Sequence, residues 1–291
     1  MQALVLSGAG ANGGWQAGAL ASLHTSGYRP DVIAGVSAGA LNAVGYVLHG
    51  PSWLVERWRT LRTRDVTTTH GLARMAWRVA RGRLSLQEHR GLRRIVDEAV
   101  TGPLPDGAPV VYAGMVDWSS GYYRRVGLNA LSREDLVDAV IASATIPLQW
   151  PPSTFQGRRY VDGGLRRMVP LGDVLHHLPD RVTTISTQTA QAQPQEFGSI
   201  ADIARGSLGI LLDQVAADNV RSFEAVNQLV KASGGTARSP SGRPYRFFRH
   251  RLIRPVASIG PSLDWDRPSQ EARIAAGWEA GQAVRDREVA A

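Results

Sequence analysis

The chain has 291 residues, 43% of them hydrophobic and 20% charged, and contains no cysteine. That length supports one large domain burying about three quarters of its surface, and the absent cysteines exclude a disulfide framework and fit a reducing compartment. The net charge of +8 rests almost wholly on arginine, Lys231 being the one lysine; such a balance reads either as attraction to anionic lipid or nucleic acid or as a coding bias towards arginine, and does not specify chemistry.

Residues 2–7 (Q-A-L-V-L-S) read as a buried first strand. Gly8-Ala9-Gly10-Ala11-Asn12-Gly13-Gly14 follows, then a helix over about 15–24. A glycine-rich turn between strand and helix offers backbone N–H groups to an anion. One candidate anion is a dinucleotide pyrophosphate, because Gly8, Gly10 and Gly13 satisfy G-x-G-x-x-G. That ligand requires an acid closing the second strand, where this chain has Gly35-Val36-Ser37. The other candidate, and the preferred one, is the oxyanion of a tetrahedral acyl intermediate; a plain βα turn without ligand is the third reading.

The run Val32-Ile33-Ala34 leads into Gly35-Val36-Ser37-Ala38-Gly39 and a small-residue stretch up to Leu48. This reads as strand, sharp turn, helix. Glycines two residues either side of the serine remove Cβ atoms that would crowd a strained turn. The following helix aims its free N–H groups and positive dipole end at charge developing beside the hydroxyl. Parallel neighbouring strands bring their C-terminal ends together, so the glycine loop and the serine turn are expected to face one another. In the α/β-hydrolase pattern several strands precede the nucleophile; here one does, which indicates another fold.

A helix is expected over 51–62, with Trp53, Leu54, Trp58 and Leu61 on one side. Residues 71–83 form a basic amphipathic pattern, suited either to an anionic membrane surface or to packing with a solvated arginine face. A further helix over 84–100 precedes strands at 110–115 and 122–126. The alanine-rich helix over 136–144 must stop at Ile146-Pro147, since proline disfavours helical geometry in the residue before it. Trp150-Pro151-Pro152 continues as an extended segment, and Arg159-Tyr160-Val161-Asp162-Gly163-Gly164 places an acid at the end of a short strand. Asp-Gly is also a common hairpin signal, so Asp162 reads as either a turn residue or a general base. None of the seven histidines sits in a recognisable catalytic turn, and His176-His177 reads as a surface helix. A desolvated carboxylate touching the serine can replace imidazole as the base, and Asp162 fits by placement. Beyond it come a strand at 182–186, one or two helices over 199–230, a Gly/Ser/Pro/Arg loop at 234–244, a strand at 245–254 and a closing helix over 270–287. No apolar run is long enough to span a bilayer, and no basic region precedes the first apolar run. A soluble cytoplasmic protein is expected.

With these pieces in order, the sequence resembles the patatin-like phospholipase family. Residues 4–13 resemble that family's glycine-rich loop and Gly35-Val36-Ser37-Ala38-Gly39 its nucleophile motif. Ala142-Ser143-Ala144-Thr145-Ile146-Pro147 is similar to its helix-to-proline segment and Asp162-Gly163-Gly164 to its D-G-[AG]; Leu263-Asp264 and residues 276–280 are weaker echoes. The resemblance implies an α/β protein with a three-layer α/β/α fold around a central, mostly parallel sheet. It implies one domain over 1–291, with a motif-bearing core at 3–170 and a helical and strand completion at 171–291. Ser37 would attack an ester carbonyl of a phospholipid or lysophospholipid and Asp162 would accept its proton. Backbone N–H groups of Gly8, Ala9, Gly10, Ala11, Asn12 and Gly13 would hold the oxyanion. Gly35, Val36, Ala38 and Gly39 would frame the nucleophile, and Gly163 and Gly164 would shape the turn after the base. No metal and no cofactor are required; the expected partners are the lipid substrate and an anionic membrane surface, with no nucleic acid. The chain departs from the pattern at Ala9, where the family has a third glycine, and at Asn12, where it has Arg or Lys. A general lipase or carboxylesterase, a nucleotide-binding protein using Gly8 to Gly13, and a non-catalytic membrane-binding module are the alternatives.

Overall fold

The computed structural model describes residues 1–66, 89–189, 198, 200–235, 237–240, 242 and 244–289. The basic amphipathic pattern at 71–83 lies outside them. In chain order come β1 (Gln2–Leu6), α1 (Gly13–Thr25), β2 (Val32–Val36), α2 (Ala38–His49), α3 (Pro51–Thr60), α4 (Thr63–Val66) and α5 (Arg90–Ala99). They are followed by β3 (Val110–Asp117), β4 (Tyr123–Gly127), α6 (Arg133–Ala144), β5 (Ser153–Phe155), β6 (Arg158–Asp162) and β7 (Arg181–Ile185). The chain closes with α7 (Ile200–Ala232), β8 (Arg249–Ile253) and α8 (Arg267–Val289).

The strands form one sheet in the order β5-β6-β3-β2-β1-β7-β8, with β4 also paired to β3. The neighbours from β3 through β2, β1 and β7 to β8 run parallel, whereas β4 and β6 lie antiparallel to β3. Parallel strands need both faces covered, which is why β1 after Gln2 and all of β2 are short apolar runs without a polar face. Their alternation divides the core. Leu4, Leu6 and Ile33 pack with α1, α2, α3, α5, α6 and α8, while Ala3, Val5, Val32 and Ala34 face the opposite layer, covered by α7 through Leu212, Val215, Ala216 and Phe223. The architecture is the expected α/β/α arrangement around a mostly parallel sheet.

Several boundaries differ from the sequence reading for local reasons. α6 begins at Arg133 because the Ser132 hydroxyl caps it, accepting from Asp135 N at 3.2 Å. β8 is shorter than the predicted strand at 245–254, since Phe248 spends its N–H and C=O on the Asn227 side chain of α7. The extended segment after Trp150 turns into β5, which hairpins onto β6. His176 and His177 occupy a single 3-10 turn beside Tyr112 rather than a longer helix.

Candidate active site

The register of β3 determines how the site is assembled. β2 pairs with Val110 to Gly114 and β6 with Met115 to Asp117, while β4 runs along the other edge from Tyr112 to Val116. β2 and β6 therefore share one edge of β3 and meet end to end. Val36 lies opposite Gly114 and Asp162 opposite the next residue, Met115. The residue that follows β2, Ser37, is thereby brought against the last residue of β6, and the two are 125 positions apart only in sequence.

Ser37 has φ 58° and ψ −128°, a conformation sparsely populated by any L-residue and held by its surroundings. Its N–H donates to Ser143 Oγ at 3.0 Å, and that hydroxyl donates onward to Gly114 O at 2.7 Å, so α6 clamps the turn to β3. A Cβ on Gly39 would lie 2.6 Å from Leu6 O, and one on Gly35 would lie 2.5 Å from Gly39 C. Both glycines are required by close backbone approach. Ala38 and Gly39 open α2, whose positive end points at the serine.

Asp162 is 4% exposed and accepts from Gly164 N at 2.7 Å. Burial pushes its carboxyl up to about 6, opposed by the neighbouring Ser37 hydroxyl and by the hydrogen bond from the Gly164 amide. A Cβ on Gly163 would sit 2.6 Å from Gly114 C, so this turn too has space only for glycine. No histidine enters the pair among the described residues. His176 and His177 are with Tyr112 and Arg125, and His250 bonds Thr184.

The glycine loop lies beside Ser37: a Cβ on Gly8 would come within 3.6 Å of Ser37 Cβ and only 2.7 Å from Met168 Sδ. Of its six amides, four are already engaged: Gly8 N with Met168 O at 2.9 Å, Ala11 N with Ser262 O at 2.7 Å, Asn12 N with Ala9 O at 3.0 Å, and Gly13 N with Gly10 O. The donor set expected over Gly8 to Gly13 is thus narrowed to Ala9 and Gly10, which have no acceptor among the described residues. Gly10 adopts φ +53° and packs on Ser262, whereas Ala9 has φ −146°, where a Cβ is unstrained. Gln16 fixes the loop's entrance by donating to Ser7 O at 2.9 Å and Ile185 O at 3.2 Å; Thr187 and Gln188 donate to Gly8 O.

An apolar cavity of about 50 Å³ opens at Ser37. Leu41, Trp58, Ile95, Val140, Ile146 and Trp150 are among its walls, and among the described residues Ser37 is the one hydroxyl-bearing residue in the lining. Its apolar lining suits the start of an alkyl chain, each buried methylene contributing about 0.8 kcal/mol.

The sequence profile of patatin-like phospholipase matches residues 4–175, more than half of the chain. The chain belongs to the patatin-like phospholipase family. It is 32% identical over 154 residues to 1-acylglycerol-3-phosphate O-acyltransferase Pnpla3 of Mus musculus, an alignment covering 48% of this chain and 32% of that protein. The chain thus spans about a third of the length of this relative. Among solved structures, VipD from Legionella pneumophila aligns with a TM-score of 0.44 and 13% identity over 98% of this chain and 66% of that one.

Within this patatin-like frame, sequence reasoning missed three supports. Met168 bonds Gly8 through its carbonyl and covers both Gly8 and Gly164 with its thioether. Ser143 was visible only as part of a motif, without its bridge to Ser37. Asn42 accepts from Trp58 Nε1 at 2.7 Å and donates to Gln16 and Gly13 O, tying α1, α2 and α3 behind the loop. Asn12, standing where the patatin-like pattern has a cation, is buried, and its Oδ1 has no partner among the described residues.

Proposed function

We propose that the protein hydrolyses lipid esters, phospholipid or lysophospholipid, through a Ser37–Asp162 dyad and an acyl-enzyme intermediate. The observation that carries this reading is the β3 register that sets Ser37, on the wall of an apolar cavity, against the buried carboxyl of Asp162. Ser37 Oγ attacks the carbonyl carbon while Asp162 takes its proton. The oxygen that becomes negative is received by the Ala9 and Gly10 amides, with the α2 N-terminus adding its dipole. Collapse of this intermediate breaks the ester bond, and the departing alkoxide receives the proton from Asp162. Water then enters, gives a proton to the same carboxylate and attacks the acyl group; the fatty acid leaves and the proton returns to Ser37. Every atom is accounted for without a metal or cofactor. The +8 charge supports work at an anionic membrane surface, and among the described residues no helix is long and apolar enough to cross a membrane.

The name of the mouse relative favours a second acceptor, the free hydroxyl of a 1-acylglycerol-3-phosphate, which would take the acyl group in place of water. Labelling of wild type, Ser37→Ala and Asp162→Asn with a fluorescent fluorophosphonate, alongside fatty-acid release from phosphatidylcholine, tests the reading. Labelling and release in the wild type, both lost in Ser37→Ala and release lost in Asp162→Asn, is the expected outcome. An unlabelled wild type that releases no fatty acid would overturn it. Adding 1-acylglycerol-3-phosphate and separating the lipid products distinguishes transfer from hydrolysis.

A further inference from the structure

We infer that the end of the sheet carrying Ser37 is the surface that docks on an anionic lipid bilayer, anchored by the Trp118–Tyr122 turn and the N-terminal half of α7. The inference rests on the acyl-hydrolase reading for its purpose but on separate residues for its geometry. β3 runs three residues past Gly114, the partner of Val36, so the turn at 118–122 stands roughly 10 Å beyond the nucleophile's strand. The β5–β6 hairpin projects the same way, since Trp118 N donates to Arg159 O and the turn at Gln156-Gly157 lies further out still.

α7 runs opposite to the strands, from Leu212 packed over Gly164 to Asn227 bonded at Phe248, just before β8 begins. Its residues 200–211 therefore extend roughly 18 Å beyond the base turn at the same end. Ile203, Ile210 and Leu211 are each more than half exposed there, as are Trp118, Tyr122 and Leu148. Leu148 holds φ +71° in solvent between Ile146 and Trp150, two walls of the cavity.

Two features name the occupant. Exposed Arg159 and Arg166 flank the aromatic turn, Arg166 donating to Gly121 O, and tryptophan and tyrosine beside arginine are the side chains that settle at the headgroup level of a membrane. In addition, Ser37 is only 5% exposed and lines the apolar cavity. An ester reaches it by leaving the bilayer directly into that cavity. A protein partner would not require the cavity mouth to lie within the contact.

Binding is measured with the Ser37→Ala protein, which leaves vesicles intact, by co-sedimentation with phosphatidylcholine vesicles with and without phosphatidylglycerol. The expected result is binding that rises with phosphatidylglycerol and falls roughly tenfold or more in Trp118→Ser/Tyr122→Ser and in Ile210→Asp/Leu211→Asp. In the Ser37 background the same substitutions should reduce hydrolysis of vesicle lipid while leaving turnover of a soluble p-nitrophenyl butyrate unchanged, which also reports that the variants fold. Vesicle binding equal to that of the parent in both double variants would overturn the inference. So would lipid-free self-association that these substitutions abolish, since the face would then belong to a second copy. If fluorophosphonate labelling fails, the hydrolase reading falls, and the vesicle experiment still decides the docking face.

Discussion

Replacing Asp162 by asparagine should abolish turnover and at the same time stabilise the fold above neutral pH. Burial raises this carboxyl from an ordinary 3.8 to about 6, a difference of roughly 3 kcal/mol in favour of the neutral form at 1.36 kcal/mol per unit. Asparagine keeps an acceptor for Gly164 N and presents an amide to Ser37 Oγ, but the bond from Gly164 loses its charge assistance, worth about 1 kcal/mol. A net gain of roughly 1–3 kcal/mol remains, or a few degrees in Tm. The sign follows from proton linkage. The folded state holds the Asp162 proton more tightly than the unfolded chain, so the wild type loses stability as pH rises from 3.8 to about 6 and carries the whole penalty above that. The asparagine variant has no such term. Urea unfolding at pH 8 should therefore favour the variant, with the difference vanishing near pH 4, where both side chains are neutral. The same titration governs catalysis: wild-type kcat/KM should rise through about pH 6 as the base loses its proton. A variant no more stable than the wild type at pH 8, or a difference of equal size at both pH values, would refute the picture of a desolvated base.

Ser143→Ala leaves the Ser37 N–H and Gly114 O without their buried partner; a stability loss of about 2–4 kcal/mol is expected from two such groups. With it should come a fall in kcat at unchanged KM, measured on p-nitrophenyl butyrate, because the turn and not the cavity is disturbed. Gly163→Ala drives a methyl into the β3 backbone at Gly114 and should displace Asp162, lowering kcat by about a hundredfold or more, the scale of a 1 Å misplacement. Val140→Phe, on a fully buried wall of the cavity, should cost about 1–3 kcal/mol of stability through overpacking. It should also suppress hydrolysis of p-nitrophenyl palmitate while sparing the butyrate; equal losses on both esters would contradict the cavity's assignment to the acyl chain.

What the sequence made legible is what local spacing encodes. The strand, turn and helix at residues 32–48 announce themselves by an apolar run, two glycines and a small-residue helix, and Asp162 by its position at a strand end before two glycines. The parallel pairing of β1 with β2, which sets the loop against the serine, follows from two short strands with one helix between them. Contacts distant in sequence had no such signal. Nothing local shows that β2 and β6 share an edge of β3, or that Trp150-Pro151-Pro152 introduces a strand. The boundary of β8 depended on Asn227, a residue more than twenty positions away.

The oxyanion loop shows the limit most clearly. Read alone, its six amides are equivalent, and the alanine at position 9 is a departure that puts the hole in doubt. In the fold, Met168 takes the Gly8 amide and Ser262 takes that of Ala11. Ser262 is held in place because buried Arg273 of α8 donates to Ile259 O, Pro261 O and Asp264 O around it. The weak C-terminal echo at Leu263-Asp264 is thus part of the strap that orients the loop some 250 residues earlier. The same fold removes the doubt about position 9. Its φ of −146° accommodates a side chain, whereas position 10, at φ +53° and against Ser262, does not. Of these two positions, only 10 needs glycine. Alanine at position 9 keeps its N–H and stiffens the unfolded chain, so the proposed hole would take its geometry from Gly10.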